Sequence, residues 1–256
     1  MNNLPTNRFK AGLKKGDTQI GLWSNLKSMI ATDILGGAGF DWIVIDMEHS
    51  HNEVADVFSQ LLALRGGTAS AVVRPPWNDP VMIKRILDAG AQTILVPMVD
   101  SAADAQAAVR AVCYPGDGIR GVASATPASR YGRVKNYLTQ AASELCVLVQ
   151  VETRSGLEAI DEIVGVEGVA GIFIGPADLS AGLGYLGNPA HPKVQEAISY
   201  ALDRCKAAGK PAGILTSVKE EAELYIRKGF SFVAVGTDAG LLARQTESLA
   251  DHFKKG

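Results

Sequence analysis

Short apolar, β-branched runs recur along the chain. Each empties into a loop marked by Gly or Pro, and a longer stretch with helical spacing of apolar positions follows. The runs predict eight strands, over residues 19–23, 42–46, 71–74, 93–97, 146–152, 171–174, 211–215 and 232–236. The stretches between and after them predict helices over 31–38, 54–65, 80–89, 102–112, 156–164, 193–208, 218–228 and 238–253. Several helix ends are signalled. Asp79 precedes Pro80, a cap followed by a first-turn proline, and Gly90 and Gly209 each follow the last helical residues. Ser217, with Glu220 three residues on, has the form of a capping box.

Eight alternating units in 256 residues predict a (β/α)8 barrel with a parallel sheet, one domain over residues 1–256. A doubly wound sheet is the structural rival, but it normally has fewer strands at this length, and no shift in composition divides the chain. Residues 113–144 break the rhythm. They hold Pro115, Gly116, Gly118, Gly121 and Gly132, and a loop this long in a barrel is usually functional or an oligomer contact.

Composition narrows the classes. Hydrophobic residues make up 47%, enough for a large core, and the net charge is −2 without any basic stripe, which argues against nucleic acid as a partner. Cys113, Cys146 and Cys205 are odd in number and widely spaced, unlike a disulfide frame or a zinc site. No apolar run approaches the ~20 residues of a membrane span, and the polar start of the chain lacks a signal-peptide core. The expectation is a cytoplasmic protein acting on small molecules.

Barrel enzymes work at the C-terminal ends of their strands, so the residues into which each run empties are the candidates. The run "WIVIDMEHSH" delivers Asp46, Glu48 and His49, "AVVR" delivers Arg74, and the fifth strand delivers Gln150 and Glu152. The sixth leads through Gly175 and Ala177 to Asp178. Glu152 and Asp178 on adjacent strands offer two oxygen ligands with open positions, which suits Mg²⁺ or Mn²⁺. The competing role for each is an arginine partner or a helix cap. Asp46 and His49 stand three apart, so the carboxylate could orient the imidazole and raise its basicity. Arg74 can fork onto a carboxylate or an enolate oxygen, or pair with Asp46, or do both. Backbone N–H groups from Gly175 to Asp178 could cradle a carboxylate if they open a helical turn. "GLGYLG" at 182–187 matches a dinucleotide fingerprint but does not lie between a strand and a helix. No predicted strand carries a lysine for a Schiff base, so carbonyl activation falls to a metal.

Taken in order, "FDWIVIDMEH", "RPPWNDPVMIKRILDAGAQTILVPMV", "YPGDGIRG", "VLVQVET", "GIFIGPADLS", "HPKVQEAI" and "FVAVGTD" resemble the HpcH/HpaI family of class II, metal-dependent pyruvate aldolases, over nearly the whole chain. The resemblance implies a (β/α)8 barrel, a divalent ion (Mg²⁺, Mn²⁺ or Co²⁺) and reversible cleavage of 4-hydroxy-2-oxo acids to pyruvate and an aldehyde. It implies metal ligands at Glu152 and Asp178, an oxyanion arginine at Arg74, an Asp46–His49 pair, and Gln150 near metal and pyruvate. Backbone at Gly175 and Ala177 would hold the pyruvate carboxylate. It also implies a homo-hexamer, a trimer of dimers with the C-terminal helix exchanged, in which Asp88 and the loop near Arg120 complete a neighbour's site. Relatives act on 4-hydroxy-2-oxoheptanedioate or on 2-dehydro-3-deoxyglucarate, and "RPPWNDP" and "LLAR" resemble the former group. Met47 departs from the pattern, standing where the family has glycine. Two remoter functions remain open: another metal-enolate reaction, such as decarboxylation or cleavage of a coenzyme A ester, and a barrel that binds without turnover.

Overall fold

The computed structural model describes residues 4–254. Eight parallel strands close into one barrel in sequence order: β1 (Gln19–Ser24), β2 (Trp42–Asp46), β3 (Ser70–Arg74), β4 (Thr93–Val96), β5 (Cys146–Val151), β6 (Val169–Ile174), β7 (Ala212–Leu215) and β8 (Phe232–Thr237). Register places Asp46 beside Arg74 and Gln150 beside Phe173, so the polar strand ends gather at one mouth.

Strand side chains alternate between two environments. Inside the barrel lie Trp23, Trp42, Leu148, Phe173 and Phe232. Trp42 and Phe232 need small neighbours: a Cβ at Gly21 would stand 2.3 Å from the Trp42 ring, and one at Gly213 2.1 Å from the Phe232 ring. The larger core lies between barrel and helices, with Ile43, Ile45, Val73, Ile94 and Ile172 meeting Leu61, Ile83, Ile86 and Ile198. Buried aliphatic runs of this kind are what a sheet covered on its outer side requires.

The covering helices are α2 (Met29–Gly36), α3 (Val54–Leu64), α4 (Pro80–Ala89), α5 (Ala102–Val112), the broken pair α7 (Arg154–Glu158) and α8 (Ile160–Val164), α10 (Pro192–Ala207), α11 (Lys219–Lys228) and α12 (Asp238–Lys254). Asp79 caps α4 as expected, accepting from Met82 N at 2.7 Å, and Gly90 ends it in the left-handed region. Ser217 does not cap α11. Val218 stands at that position, and Thr216 does the local work, accepting from Val218 N at 3.2 Å and donating to Glu221 at 2.7 Å.

Among the described residues, three α-helices lie outside the predicted set. α1 (Arg8–Lys15) plugs the N-terminal end of the barrel: Phe9 packs 5.6 Å from both Trp42 and Phe232, at the first residues of their strands. Its signals were present, since Asn7 caps it and Gly16 ends it. The long 113–144 segment folds a short helix, α6 (Tyr137–Glu144), onto its own small cluster of Val134, Tyr137 and Ala141. The third, α9 (Pro176–Gly182), supplies the turn on which a backbone cradle at the mouth depended.

Candidate active site

Two polar clusters occupy the mouth. The first centres on Asp46, which is fully buried. Arg74 forks onto it, Nε to Oδ1 and Nη2 to Oδ2, both at 2.8 Å. Asn25 Nδ2 adds a bond to Oδ2 at 3.0 Å, and the Glu48 N–H donates to Oδ1 at 3.0 Å. The third edge of the guanidinium meets Glu48 Oε2 at 2.7 Å. The Trp23 ring lies 5.3 Å from the guanidinium carbon. Arg74 thus spends two of its five N–H groups in hydrogen bonds to Asp46 and meets Glu48 through charge alone, leaving N–H groups free toward the mouth.

The Asp46–His49 pairing expected from their spacing is not made. Both oxygens of Asp46 are taken by Arg74, Asn25 and the Glu48 amide, while His49 turns outward with a side chain 62% exposed. Its acidic neighbour is Glu48, with Nε2 3.9 Å from Oε2. The bidentate arginine wins because it holds the buried carboxylate with two charge-assisted bonds, whereas the imidazole could offer one.

Glu48 is the residue that the sequence reading placed at the strand end without giving it a role. Burial pushes its carboxyl up to about 7, with Arg74 pulling the other way. An acid raised in the fold binds more protons folded than unfolded, so its contribution to the stability of the metal-free protein is lost as pH rises from about 4.5 through about 7. Melting temperature measured across that range should therefore fall less steeply in Glu48→Gln than in the wild type. Identical slopes would remove Glu48 as their source.

The second cluster centres on Glu152, 1% exposed at the end of β5. Met98 N donates to its Oε1 at 2.9 Å, and Gln150 Nε2 donates to Oε2. Met98 adopts φ 53°, a left-handed conformation costing a non-glycine residue about 1–3 kcal/mol. That conformation accompanies an N–H aimed at the carboxylate. Burial raises the Glu152 carboxyl, and Asp178 raises it further. Asp178, in the first turn of α9, is exposed to the open mouth. Gly175 approaches so closely that a Cβ there would lie 2.4 Å from Glu152 Oε2.

The cradle differs in detail from expectation. The Gly175 N–H is spent on the Val151 carbonyl at 3.2 Å, and Pro176 has none. The donors without a side-chain cap at the start of α9 are those of Ala177 and Asp178. Gly175 serves by lacking a side chain.

The donor set suits a hard divalent cation. Two carboxylates converge, one of them in a site that disfavours its charge, and the Gln150 Oε1 beside them is buried without a hydrogen-bond partner. Among the described residues, no group of three or more His, Cys, Asp or Glu is placed to hold a metal. Two carboxylates would leave coordination positions for substrate and water. Among the described residues no strand carries a lysine, and Lys210 Nζ donates to the Val169 carbonyl at the start of β6, the far end of the barrel.

Other candidates resolve into structure. His191 stacks on Tyr185 at 3.7 Å and caps α10. Met47 is 5% exposed and belongs to the core between barrel and helices. A hollow of about 640 Å³ opens between Asn7, Ser70, Gln92 and Ala128, at the strand starts and so on the face opposite the carboxylates. Asp88 pairs with the buried Arg120 at 2.7 Å.

Fold and mouth together define a barrel lyase of the aldolase type. The chain belongs to the HpcH/HpaI aldolase/citrate lyase family, whose sequence model matches residues 19–245. It is 53% identical over 248 residues to the 4-hydroxy-2-oxo-heptane-1,7-dioate aldolase of Shigella sonnei (strain Ss046), covering 96% of this chain and 95% of that one. A family protein from Burkholderia cenocepacia J2315 superposes with a TM-score of 0.95 at 38% identity, covering 97% of this chain and 100% of that one. An HpcH/HpaI aldolase from Desulfitobacterium hafniense DCB-2 gives a TM-score of 0.87 at 26% identity, with 96% of each chain covered.

Proposed function

We propose that this protein catalyses the divalent-metal-dependent, reversible cleavage of 4-hydroxy-2-oxoheptanedioate to pyruvate and succinic semialdehyde. The observation that carries it is the convergence of Glu152 and Asp178 beside an arginine held by two further acids. The relatives' named activity supports the substrate.

Glu152 and Asp178, with the Gln150 amide oxygen at hand, would hold Mg²⁺, Mn²⁺ or Co²⁺. The bound ion supplies Lewis-acid polarisation of the 2-oxo group. The N–H groups of Arg74 that Asp46 leaves free stabilise the negative charge that develops on that oxygen. The Ala177 and Asp178 amides orient the C1 carboxylate. His49, with Glu48 as its acidic neighbour, takes the proton from the C4 hydroxyl. The C3–C4 bond then breaks, its electron pair forms the enolate, and the aldehyde leaves. Return of that proton from His49 to C3, directly or through water, completes pyruvate.

The test is pyruvate release after EDTA treatment and again with each ion restored, from 4-hydroxy-2-oxoheptanedioate and from 2-dehydro-3-deoxyglucarate. Metal-restored release, faster with the first substrate, is expected. Faster release with the second would transfer the assignment to the glucarate derivative, and no release with either would overturn the aldolase. His49→Ala should slow cleavage by about 10²–10⁴-fold while Mn²⁺ affinity stays as it was; an unchanged rate would remove His49 as base.

A homo-oligomer is part of the same proposal. Asp238 is the only buried residue of α12, while Leu242, Leu249 and Phe253 on that helix, with Ile30 and Ile34 on α2, are exposed. A second copy exchanging α12 would cover these faces, a hexamer would be reached by repeating that contact, and Asp88 and Arg120 would face a neighbour's mouth. Among the described residues no helix is long and apolar enough to cross a membrane. The three free thiols fit a cytoplasmic location.

A further inference from the structure

A chain of buried polar side chains runs from the mouth to the first residue of the last helix, and the proposed chemistry uses none of it beyond Asp46. It grips Asp46 at both ends. Asn52 Nδ2 donates to the Asp46 main-chain carbonyl at 2.7 Å, and Asn25 Nδ2 donates to its carboxylate at 3.0 Å. Asn52 is itself held, its Oδ1 accepting from Gln60 Nε2 at 2.8 Å. Gln60 Oε1 accepts from Thr32 Oγ1 at 2.9 Å and from Ser24 Oγ at 3.0 Å. On the other branch, Asp238 Oδ1 accepts from the Asn25 N–H at 2.8 Å and Oδ2 from the Leu26 N–H at 3.2 Å. Ser24 Oγ stands where the branches meet, its single proton given to Gln60 Oε1 at 3.0 Å or to Asp238 Oδ2 at 3.4 Å.

Ser24, Thr32 and Gln60 are fully buried, and Asn52 and Asp238 nearly so. Each such group is costly if left unbonded, and apolar side chains of the same size would pack here without that liability. What the polar chain provides is geometry. Asp46 sets the plane of Arg74 through two bonds, and the loop that Asn52 closes carries Glu48 and His49. A shift in either grip would move the guanidinium relative to the enolate oxygen, where a 1 Å displacement can cost about a hundredfold in rate.

We propose that Asp238, Gln60 and Asn52 are positioning residues for the reaction, holding Asp46, and through it Arg74 and the His49 loop, in register with the metal ligands. One consequence concerns assembly. Asp238 begins α12, so the helix that leaves Leu242, Leu249 and Phe253 exposed is tied directly to the β1–α2 loop that presents Asn25 to the site.

The inference rests on the aldolase reading, and the experiment separates the two. Pyruvate release is measured at saturating Mn²⁺ for the wild type, Asp238→Ala, Asp238→Asn and Gln60→Met, with Mn²⁺ affinity and melting temperature determined alongside. Absence of turnover in the wild type would end the aldolase reading. Given an active wild type, Asp238→Ala and Gln60→Met should lower kcat by about 10–100-fold, with KM and Mn²⁺ affinity within about threefold. Asp238→Asn should recover most of the loss, because its oxygen still meets the two shorter bonds, from Asn25 N and Ala239 N at 2.7 Å. If Gln60→Met does not fold, the Asp238 pair decides. A kcat within about threefold of wild type in Asp238→Ala, or a loss of kcat that Asp238→Asn does not recover, would overturn the proposal. So would a loss matched by an equal loss of Mn²⁺ affinity.

Discussion

Glu152→Gln should abolish metal-restored pyruvate release while leaving the metal-free protein as stable as the wild type, or more so. The two effects have one origin. Burial raises the Glu152 carboxyl, with Asp178 adding to the shift, so in the absence of metal its charged form is a cost to the fold. A glutamine amide removes that cost and still accepts from Met98 N, which donates at 2.9 Å. The donor-to-donor contact it would create with Gln150 Nε2 is relieved by turning the Gln150 amide, whose Oε1 has no partner at present. The cation sees the opposite balance. It loses one of two anionic ligands, and with it several kcal/mol of charge stabilisation in the transition state, about a thousandfold or more in rate. Thermal melts give the second readout. Mn²⁺ at a hundred times its dissociation constant should stabilise the wild type by about 2.7 kcal/mol and the variant by little. A variant that keeps a wild-type Mn²⁺ response would show that Glu152 is not a ligand.

The barrel was legible from the sequence because its strands are buried on both sides. Continuous runs such as Trp42–Asp46 and Cys146–Val151 have no polar alternation to misread, and each is punctuated where it ends. Legibility fell where structure depends on contacts distant in sequence. α1 is set by Asn7, whose side chain donates to Thr93 Oγ1 and the Glu144 carbonyl as well as capping its own helix. The eight-residue helix within 113–144 rests on a cluster that also draws in Leu4 and Tyr114. The site behaved the same way. That Asp46, Arg74, Gln150 and Glu152 share a mouth follows from their places at strand ends. Which acid partners which base does not. Spacing suggested Asp46 for His49, but a neighbouring strand delivers Arg74 to Asp46 in register, and Glu48 is left between Arg74 and His49. Gln60 gave no local sign, since a mid-helix glutamine is ordinary until its partners are known, and Asp238, although the eighth strand delivers it toward the mouth, had no role legible without its partners.

Arg74→Ala should be the most damaging single change at the mouth to the fold, and it should slow the reaction as well. Asp46 would remain fully buried with only Asn25 Nδ2 and the Glu48 N–H to answer its charge. Leaving one member of a buried ion pair uncompensated costs about 3–5 kcal/mol, and at about 2–4 °C per kcal/mol for a chain of this size the melting temperature should fall by roughly 10 °C. Turnover should fall by about 10²–10³-fold through loss of the donors to the enolate oxygen. Adding Asp46→Asn to that variant separates the two effects. The neutral amide removes the orphaned charge, and the unpartnered Oδ1 of Asn25 can turn to meet it, so much of the melting temperature should return. The rate should not, because nothing replaces the guanidinium. Recovery of turnover in the double variant would show that Arg74 acts on the reaction only by supporting Asp46. A rate within about tenfold of wild type in Arg74→Ala alone would remove the guanidinium from the chemistry.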